Sequence, residues 1–586
     1  MQREAMDAIL ARRDSLVVLP TGGGKSLCFQ APALVSDGLA IVVSPLIALM
    51  KDQVDTLVGN GVPAACYHSA LSPDQKARVT AGLRDGRFRL LYVAPERLVG
   101  EGRDGFAALV GRHPLSFVAV DEAHCISQWG HDFRPEYRQL AALRDRWPAV
   151  SLHAFTATAT SRVRRDIVTQ LGLKAPVELI GSFDRPNLLY RVVARSAIKK
   201  QIEDILSRHR REAGIVYCQS RRDVDSFAEW LAGLGVRAVP YHAGLDDETR
   251  HRNQDAFLNE DVDVVVATVA FGMGIDRSDV RFVIHAGAPQ SLEHYQQESG
   301  RAGRDGLEAE CVLIYSGADF LKWRMILEQN GELSDERKAL MRDIERYAAS
   351  VGCRHRRLVG YFGETYTKPD CGSCDYCLGE LEPIPDAVTL ARKILSAVAR
   401  VGQRFGAAHV TNVLRGSENE QVTSRGHQAL SVFGLMPDAT IDELRGYIDQ
   451  LVAGGLLRQT DDGYPVLKLT ADGAALMKDP GTLPDLALVR QRKPQKDRVP
   501  RRSRVEAESW DGVDRGLFDR LRALRLRTAR ERGVPPYVIF HDTTLRELAR
   551  LKPMSLEALR TVYGVGARKA DDLGAAVLDE IRAHGA

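Results

Sequence analysis

Pro20-Thr21-Gly22-Gly23-Gly24-Lys25-Ser26 follows the apolar run Leu16-Val17-Val18-Leu19 and precedes a helix-compatible Leu27-Cys28-Phe29-Gln30. Glycines let backbone N–H groups turn inward on phosphate oxygens at a helix N-terminus. Lys25 adds a positive charge for β- and γ-phosphates, and the Ser26 hydroxyl can ligate magnesium. Thr21, Gly22, Gly23, Gly24, Lys25 and Ser26 therefore form a candidate cradle for a nucleoside triphosphate. The strict pattern has glycine at position 19, where this chain carries Leu19, but the strand-loop-helix context supports the same reading. A second apolar strand, Phe117 to Val120, ends in Asp121-Glu122-Ala123-His124, at the carboxyl edge where open α/β sheets bind ligands. An acidic pair at a strand end is often just a solvated terminus. Beside a phosphate loop, Asp121 is expected to hold magnesium and Glu122 to orient and activate the attacking water.

Further along, Gln297-Glu298-Ser299-Gly300-Arg301-Ala302-Gly303-Arg304-Asp305-Gly306 carries two arginines three apart, expected on one helical face. Arg304 is the expected arginine finger, with Arg301 beside it and Gln297 at the nucleotide. A guanidinium supplied by a second domain stabilises charge on the transferring phosphoryl oxygens only when the domains close. Cys353, Cys371, Cys374 and Cys377 form a separate cluster. Four thiolates at this spacing are expected to hold a structural zinc with no open position for catalysis. Cys28, Cys66, Cys125, Cys218 and Cys311 lie in or beside apolar runs and read as packing residues.

These residues need scaffolds. Leu16–Leu19, Ala40–Val43, Arg89–Val93 and Phe117–Val120 alternate with amphipathic stretches, the rhythm of parallel α/β folds. It resumes with Gly214–Cys218, Val262–Ala267, Phe282–His285 and Cys311–Tyr315. The fold class is therefore α/β, with two doubly wound domains expected at 1–177 and 178–325. A zinc-binding helical module is expected at 326–382. Helices and a hairpin-like Leu456-Leu457-Arg458 … Gly463-Tyr464-Pro465-Val466-Leu467 suit a winged helix at 383–488. A linker is expected at 489–510 and a small all-α unit at 511–586.

With 586 residues, one core would not suffice. No apolar run approaches the ~20 residues of a membrane-spanning helix, and no secretory signal opens the chain, so a cytosolic protein with reduced thiols is expected. The net charge of +3 conceals Arg490 to Arg504, with eight basic residues against Asp497 alone.

In this order the motifs resemble a superfamily-two helicase, and several strings narrow the resemblance to the RecQ family of DNA helicases. The most specific runs from Asp121 through His124-Cys125-Ile126-Ser127-Gln128-Trp129-Gly130-His131-Asp132-Phe133-Arg134-Pro135-Glu136-Tyr137, similar to that family's aromatic-rich loop. Trp129, Phe133 and Tyr137 offer faces for base stacking and Arg134 a charge for phosphate. Val43-Ser44-Pro45-Leu46-Ile47 resembles a strand-tracking motif, with Ser44 expected as a helix N-cap and Pro45 at the first helical position. Motifs containing Ser220, His242 and Thr268, the last in Ala267-Thr268-Val269-Ala270-Phe271-Gly272-Met273-Gly274-Ile275-Asp276, imply contacts to a single strand.

The resemblance also implies that Gln2 reads adenine. Family members carry further residues before that glutamine, whereas this sequence starts at Met1, and weakened ATP binding is the expectation. The 383–488 region resembles the family's winged helix, including Gln403-Arg404-Phe405-Gly406 and Gly426-His427, for duplex DNA. The short, acidic hairpin tip argues for positioning the duplex rather than wedging it apart. Residues 511–586 resemble the HRDC domain, where Arg568 and Lys569 are candidate contacts to single-stranded DNA.

The whole implies a monomeric helicase dependent on ATP, magnesium and structural zinc. It would work 3'-to-5' on single-stranded and branched duplex DNA in repair, recombination and replication-fork maintenance. A bacterial, nucleoid-associated cytoplasmic location is implied, with a single-stranded-DNA-binding protein and a type I topoisomerase as partners. The rival readings are a translocase that does not unwind and a DNA-binding regulator with a degenerate ATPase. Intact Lys25, Asp121, Glu122 and Arg304 weigh against the second.

Overall fold

The structure, a computed structural model, describes residues 1–99, 104–130, 132–269, 271, 277–460, 465–492, 505 and 509–585. His131, Ala270, 272–276, the hairpin-tip residues 461–464 and most of the basic run, 493–504, lie outside them.

Seven strands build the first sheet: β1 Ser15–Val18, β2 Leu39–Val43, β3 Ala64–Tyr67, β4 Leu90–Val93, β5 Leu115–Val120, β6 Ser151–Thr156 and β7 Val177–Ile180. Their order is β3-β4-β2-β5-β6-β1-β7, and the pairings are all parallel. Six more, β8 Leu188–Ala194, β9 Ala213–Tyr217, β10 Ala238–Tyr241, β11 Val264–Ala267, β12 Val280–His285 and β13 Ala309–Tyr315, form a second parallel sheet in the order β10-β11-β9-β12-β13-β8. Most of the central strands are buried along their whole length, because helices cover both faces of each sheet. The phosphate loop and the acidic pair leave the carboxyl ends of β1 and β5, and the second sheet domain meets them with the turn 300–308, which leads into the amino end of β13.

The expected division at 177/178 falls inside β7. That strand pairs with β1 from Ser15↔Val177 to Val18↔Ile180, so the first sheet runs to Ile180. The helix Gly317–Gln329 likewise spans the expected 325/326 boundary. The expected linker begins with a strand, since β17 Val489–Gln491 pairs with β14 Leu381–Pro383. Between them the winged-helix unit has its own core around Ile394, Leu395, Leu414, Ile448 and Leu451, with the hairpin β15 Leu457–Gln459 and β16 Leu467–Leu469.

Its helix Ile441–Ala453 packs on the helix Asp335–Ala349 of the zinc module. There burial, reinforced by Glu345, pushes the half-buried Asp449 carboxyl up to about 7. A raised carboxylate pKa means that the folded state holds a proton which the unfolded chain has already released. Stability is therefore lost as pH rises from the usual carboxylate range through 7. Asp449→Asn is expected to raise the thermal midpoint by a few degrees at pH 8 and to change it little at pH 5. Calorimetry at the two pH values checks this.

The C-terminal helices dock on the second sheet domain through buried charge. Arg525 bridges Glu260 and Asp542 at 2.7 Å each. Arg546 reaches Glu308 at 2.8 Å, Trp510 Nε1 donates to the same carboxylate at 2.7 Å, and Arg530 pairs with Asp261. Among the described residues no helix is long and apolar enough to cross a membrane.

Candidate active site and zinc centre

The phosphate loop leaves β1 and ends in the helix Lys25–Val35, whose N-cap Gly24 is left-handed. Gly22 and Gly24 both take positive φ, +80° and +75°, which any side chain would strain, so their N–H groups can face one point. Lys25 and Ser26 occupy the first helical turn. Across the sheet β5 delivers Asp121, which is buried, and Glu122, which takes a left-handed φ of 47°. Burial pushes the Asp121 carboxyl up to about 7, and the adjacent Glu122 adds to the rise. Burial acts on Glu122 in the same direction, but Lys25, His124 and Arg301 outweigh it and hold its carboxyl down to about 2. Glu122 thus stays ionised, an acceptor suited to orienting a water. His124 Nδ1 lies 3.3 Å from Glu122 and 2.9 Å from the hydroxyl of Thr156 at the end of β6.

Arg301 and Arg304 do not share a helical face. The helix Leu292–Ser299, which carries Gln297, stops at Gly300, and positive φ at Gly303 turns the chain. That turn meets the phosphate loop: a Cβ on Gly22 would stand 3.6 Å from Arg304 Cγ, and Arg301 is buried. Sequence reasoning missed what holds it there. Arg185, between the sheets, donates to the carbonyls of Ala302 at 3.1 Å and Gly303 at 2.9 Å, and to those of Thr21 and Gly300 at 3.4 Å. Asn187 donates to Gly303 and Leu307. The signal available was a charged, turn-forming Asp184-Arg185-Pro186-Asn187 lying between two apolar strand runs. Gln2 Nε2 donates to the Gly23 carbonyl at 2.9 Å, so this side chain lies on the phosphate loop.

Cys353, Cys371, Cys374 and Cys377 bring their sulfurs within 4.8 Å of one another. Zinc–thiolate bonds of about 2.3 Å place tetrahedral sulfurs about 3.8 Å apart, so the four fit the ion. N–H donors from Arg356, Ser373 and Cys377 reach three of the sulfurs at 3.4–3.5 Å. The loop is also stitched to β8: Tyr190 donates to Ser373 O at 3.2 Å, and Asp375 takes Arg354 in a buried bidentate pair while accepting from Val192 N. Burial raises the thiols of Cys28, Cys66, Cys125, Cys218 and Cys311, which fits packing rather than reactivity.

Five family models match the chain in this order: DEAD/DEAH box helicase over 1–167, Helicase conserved C-terminal domain over 197–306, RecQ zinc-binding over 317–378, RQC domain over 384–496 and HRDC domain over 514–581. The ATP-dependent DNA helicase RecQ of Pasteurella multocida is 41% identical over 100% of this chain and 91% of its own length. The chain belongs to the RecQ family. The Bacillus subtilis RecQ is 39% identical over 98% of this chain and 94% of its own length. The RecQ-like DNA helicase BLM of Xenopus laevis is 33% identical over 100% of this chain, which matches 45% of that protein. As in the family, the cofactors are ATP, magnesium and structural zinc. Cys374→Ser is expected to abolish the about one equivalent of zinc per chain and to lower the thermal midpoint, because binding free energy here is folding free energy. Metal analysis and calorimetry on the purified variant check it.

The RecQ aromatic-rich loop departs from expectation at two positions. Tyr137 is fully buried and donates its hydroxyl to Asp121 O at 3.0 Å, so it ties the loop to the acidic pair and has no face for a base. Arg134 is half-buried, donating to Pro45 O at 2.9 Å and pairing with Asp132, so its charge is already compensated. Trp129 and Phe133 remain partly exposed. Ser44 is no N-cap: its N–H pairs with Val93 O, extending β2, and the helix Ile47–Gly59 starts after N-cap Leu46. The carbonyl of Pro45 is taken by Arg134, which holds this segment against the aromatic loop.

Ser220 caps the helix Arg221–Gly233, and His242 Nε2 donates to Asp225 at 2.9 Å. Thr268 lines a cleft with Gln219, His285, His294 and Glu298. In the HRDC domain Lys569 is spent on Ile539 O at 2.8 Å and lies over Phe540, whereas Arg568 is exposed.

Proposed function

We propose that this RecQ protein hydrolyses ATP to translocate 3'-to-5' along one DNA strand and separate duplexes, acting in repair, recombination and replication-fork maintenance. The observation that carries this reading is the meeting of Arg304 with the phosphate loop across the two parallel-sheet domains, with the Arg301 charge acting on Glu122. Magnesium bound by Ser26 and Asp121 would neutralise the β- and γ-phosphates. Lys25 binds the phosphates, Glu122 holds the attacking water in line, and Arg304 stabilises the spread charge with Arg301 beside it. Arg185 keeps the arginine turn in register with Thr21, so opening the cleft withdraws the finger. Hydrolysis is thereby tied to domain motion.

Single-stranded DNA crosses the cleft over Trp129 and Phe133 and along Ser220, His242 and Thr268. The winged helix positions the duplex, and Arg568 of the HRDC domain adds a strand contact. The Gln2 amide turns from Gly23 to the adenine edge when nucleotide enters. The protein works as a monomer in a bacterial cytoplasm at the nucleoid, with a single-stranded-DNA-binding protein and a type I topoisomerase as partners.

ATP hydrolysis with and without single-stranded DNA, beside unwinding of 3'-tailed and 5'-tailed duplexes, tests the proposal. Stimulation with unwinding of the 3'-tailed duplex alone is expected. Stimulation without unwinding would reduce the activity to translocation, and unwinding of the 5'-tailed duplex alone would reverse the polarity.

A further inference from the structure

Trp129 is only partly exposed, and its ring is already covered. The Arg162 guanidinium carbon lies directly over the indole ring, in close contact with that face. Arg162 is an exposed residue in the first turn of the helix Ser161–Gln170, which follows the Thr156-Ala157-Thr158-Ala159 segment. Thr156 is bonded to His124, beside Glu122, and Tyr137 at the far end of the aromatic loop is bonded to Asp121 O. The Arg162–Trp129 stack therefore joins two segments that both reach the acidic pair.

A planar guanidinium and a planar base use an indole face in the same way, by stacking and by attraction to its electron-rich surface, so the two cannot share it.

We infer that Arg162 occupies the base-stacking face of Trp129 when no strand is bound, and that a nucleobase takes this face by displacing the guanidinium. The inference rests on the reading of Trp129 as a base platform. Arg162 is then a positioning residue that sets how strongly DNA must bind before the aromatic loop is released.

The test is fluorescence anisotropy of labelled oligothymidylate with the full-length protein, across a salt series, for wild type, Arg162→Ala, Trp129→Ala and the double variant. Arg162→Ala should bind about two- to fivefold tighter, the size of an exposed cation–π contact, with an unchanged slope of log affinity against log salt. In the Trp129→Ala background the gain should vanish. Weaker binding of Arg162→Ala with a shallower salt slope would make Arg162 a phosphate ligand and overturn the inference, as would unchanged affinity. If Trp129→Ala alone binds as wild type, the platform reading itself fails and the inference falls with it. If Trp129→Ala binds weakly while Arg162→Ala shows no gain, the platform stands and only the inference is lost.

Discussion

Glu122→Gln should lower the turnover of DNA-stimulated ATP hydrolysis by about 10²–10⁴-fold while leaving ATP and DNA binding near wild type. The amide keeps the volume and one acceptor oxygen but loses the ionised carboxylate that Lys25, His124 and Arg301 hold in place. Ground-state affinity should hold because removing a negative charge next to Lys25 does not repel the triphosphate. Phosphate release under saturating single-stranded DNA, beside equilibrium binding of a non-hydrolysable ATP analogue, measures both quantities. A loss smaller than tenfold would take the water-orienting role away from Glu122. Because Tyr137 and His124 connect this corner to the aromatic loop and to Thr156, the variant should also lose unwinding in proportion to ATP turnover.

Arg304→Ala is expected to cost about 10³–10⁵-fold in ATP turnover, the range of an arginine finger. The side chain comes from the second domain and lies against Gly22, so it stabilises the transition state only in the closed arrangement. Its loss should fall on kcat rather than on KM, because the finger interacts chiefly with charge that develops during transfer. Arg304→Lys should not restore activity, since an ammonium cannot reproduce the planar fork. Steady-state kinetics in DNA-saturated conditions decide this: a variant with raised KM and intact kcat would make Arg304 a simple phosphate-binding charge.

The parts legible in the sequence share a property: each is written in residues adjacent along the chain. The loop Pro20–Ser26 between a strand and a helix, the carboxylates closing β5, and the four cysteines needed only local spacing to be read, and the sheets follow from β-branched runs alternating with helices. The misreadings arose where a side chain's role depends on distant partners. Tyr137 looks like a stacking face until its hydroxyl is found under β5, bonded to the backbone of Asp121. Ser44 and Pro45 look like a helix start until Val93 extends β2 through Ser44 and Arg134 takes the Pro45 carbonyl. Lys569 looks like a contact to single-stranded DNA until it is seen folded onto Ile539.

By itself the sequence determined the groups available to this protein: a glycine-rich loop with a lysine, an acidic pair proposed to handle magnesium and water, four clustered cysteines and an arginine pair, on two parallel α/β domains. Only the tertiary structure decided which of those groups meet. Arg185 and Asn187 bring the arginine turn to the phosphate loop, Arg162 covers Trp129, and Arg525 and Arg546 dock the C-terminal helices on Glu260 and Glu308. The physical reason is range. Backbone preference and periodicity act over a few residues, whereas cation–carbonyl, cation–π and buried ionic contacts form between residues far apart in sequence that come together only once both sheets have folded.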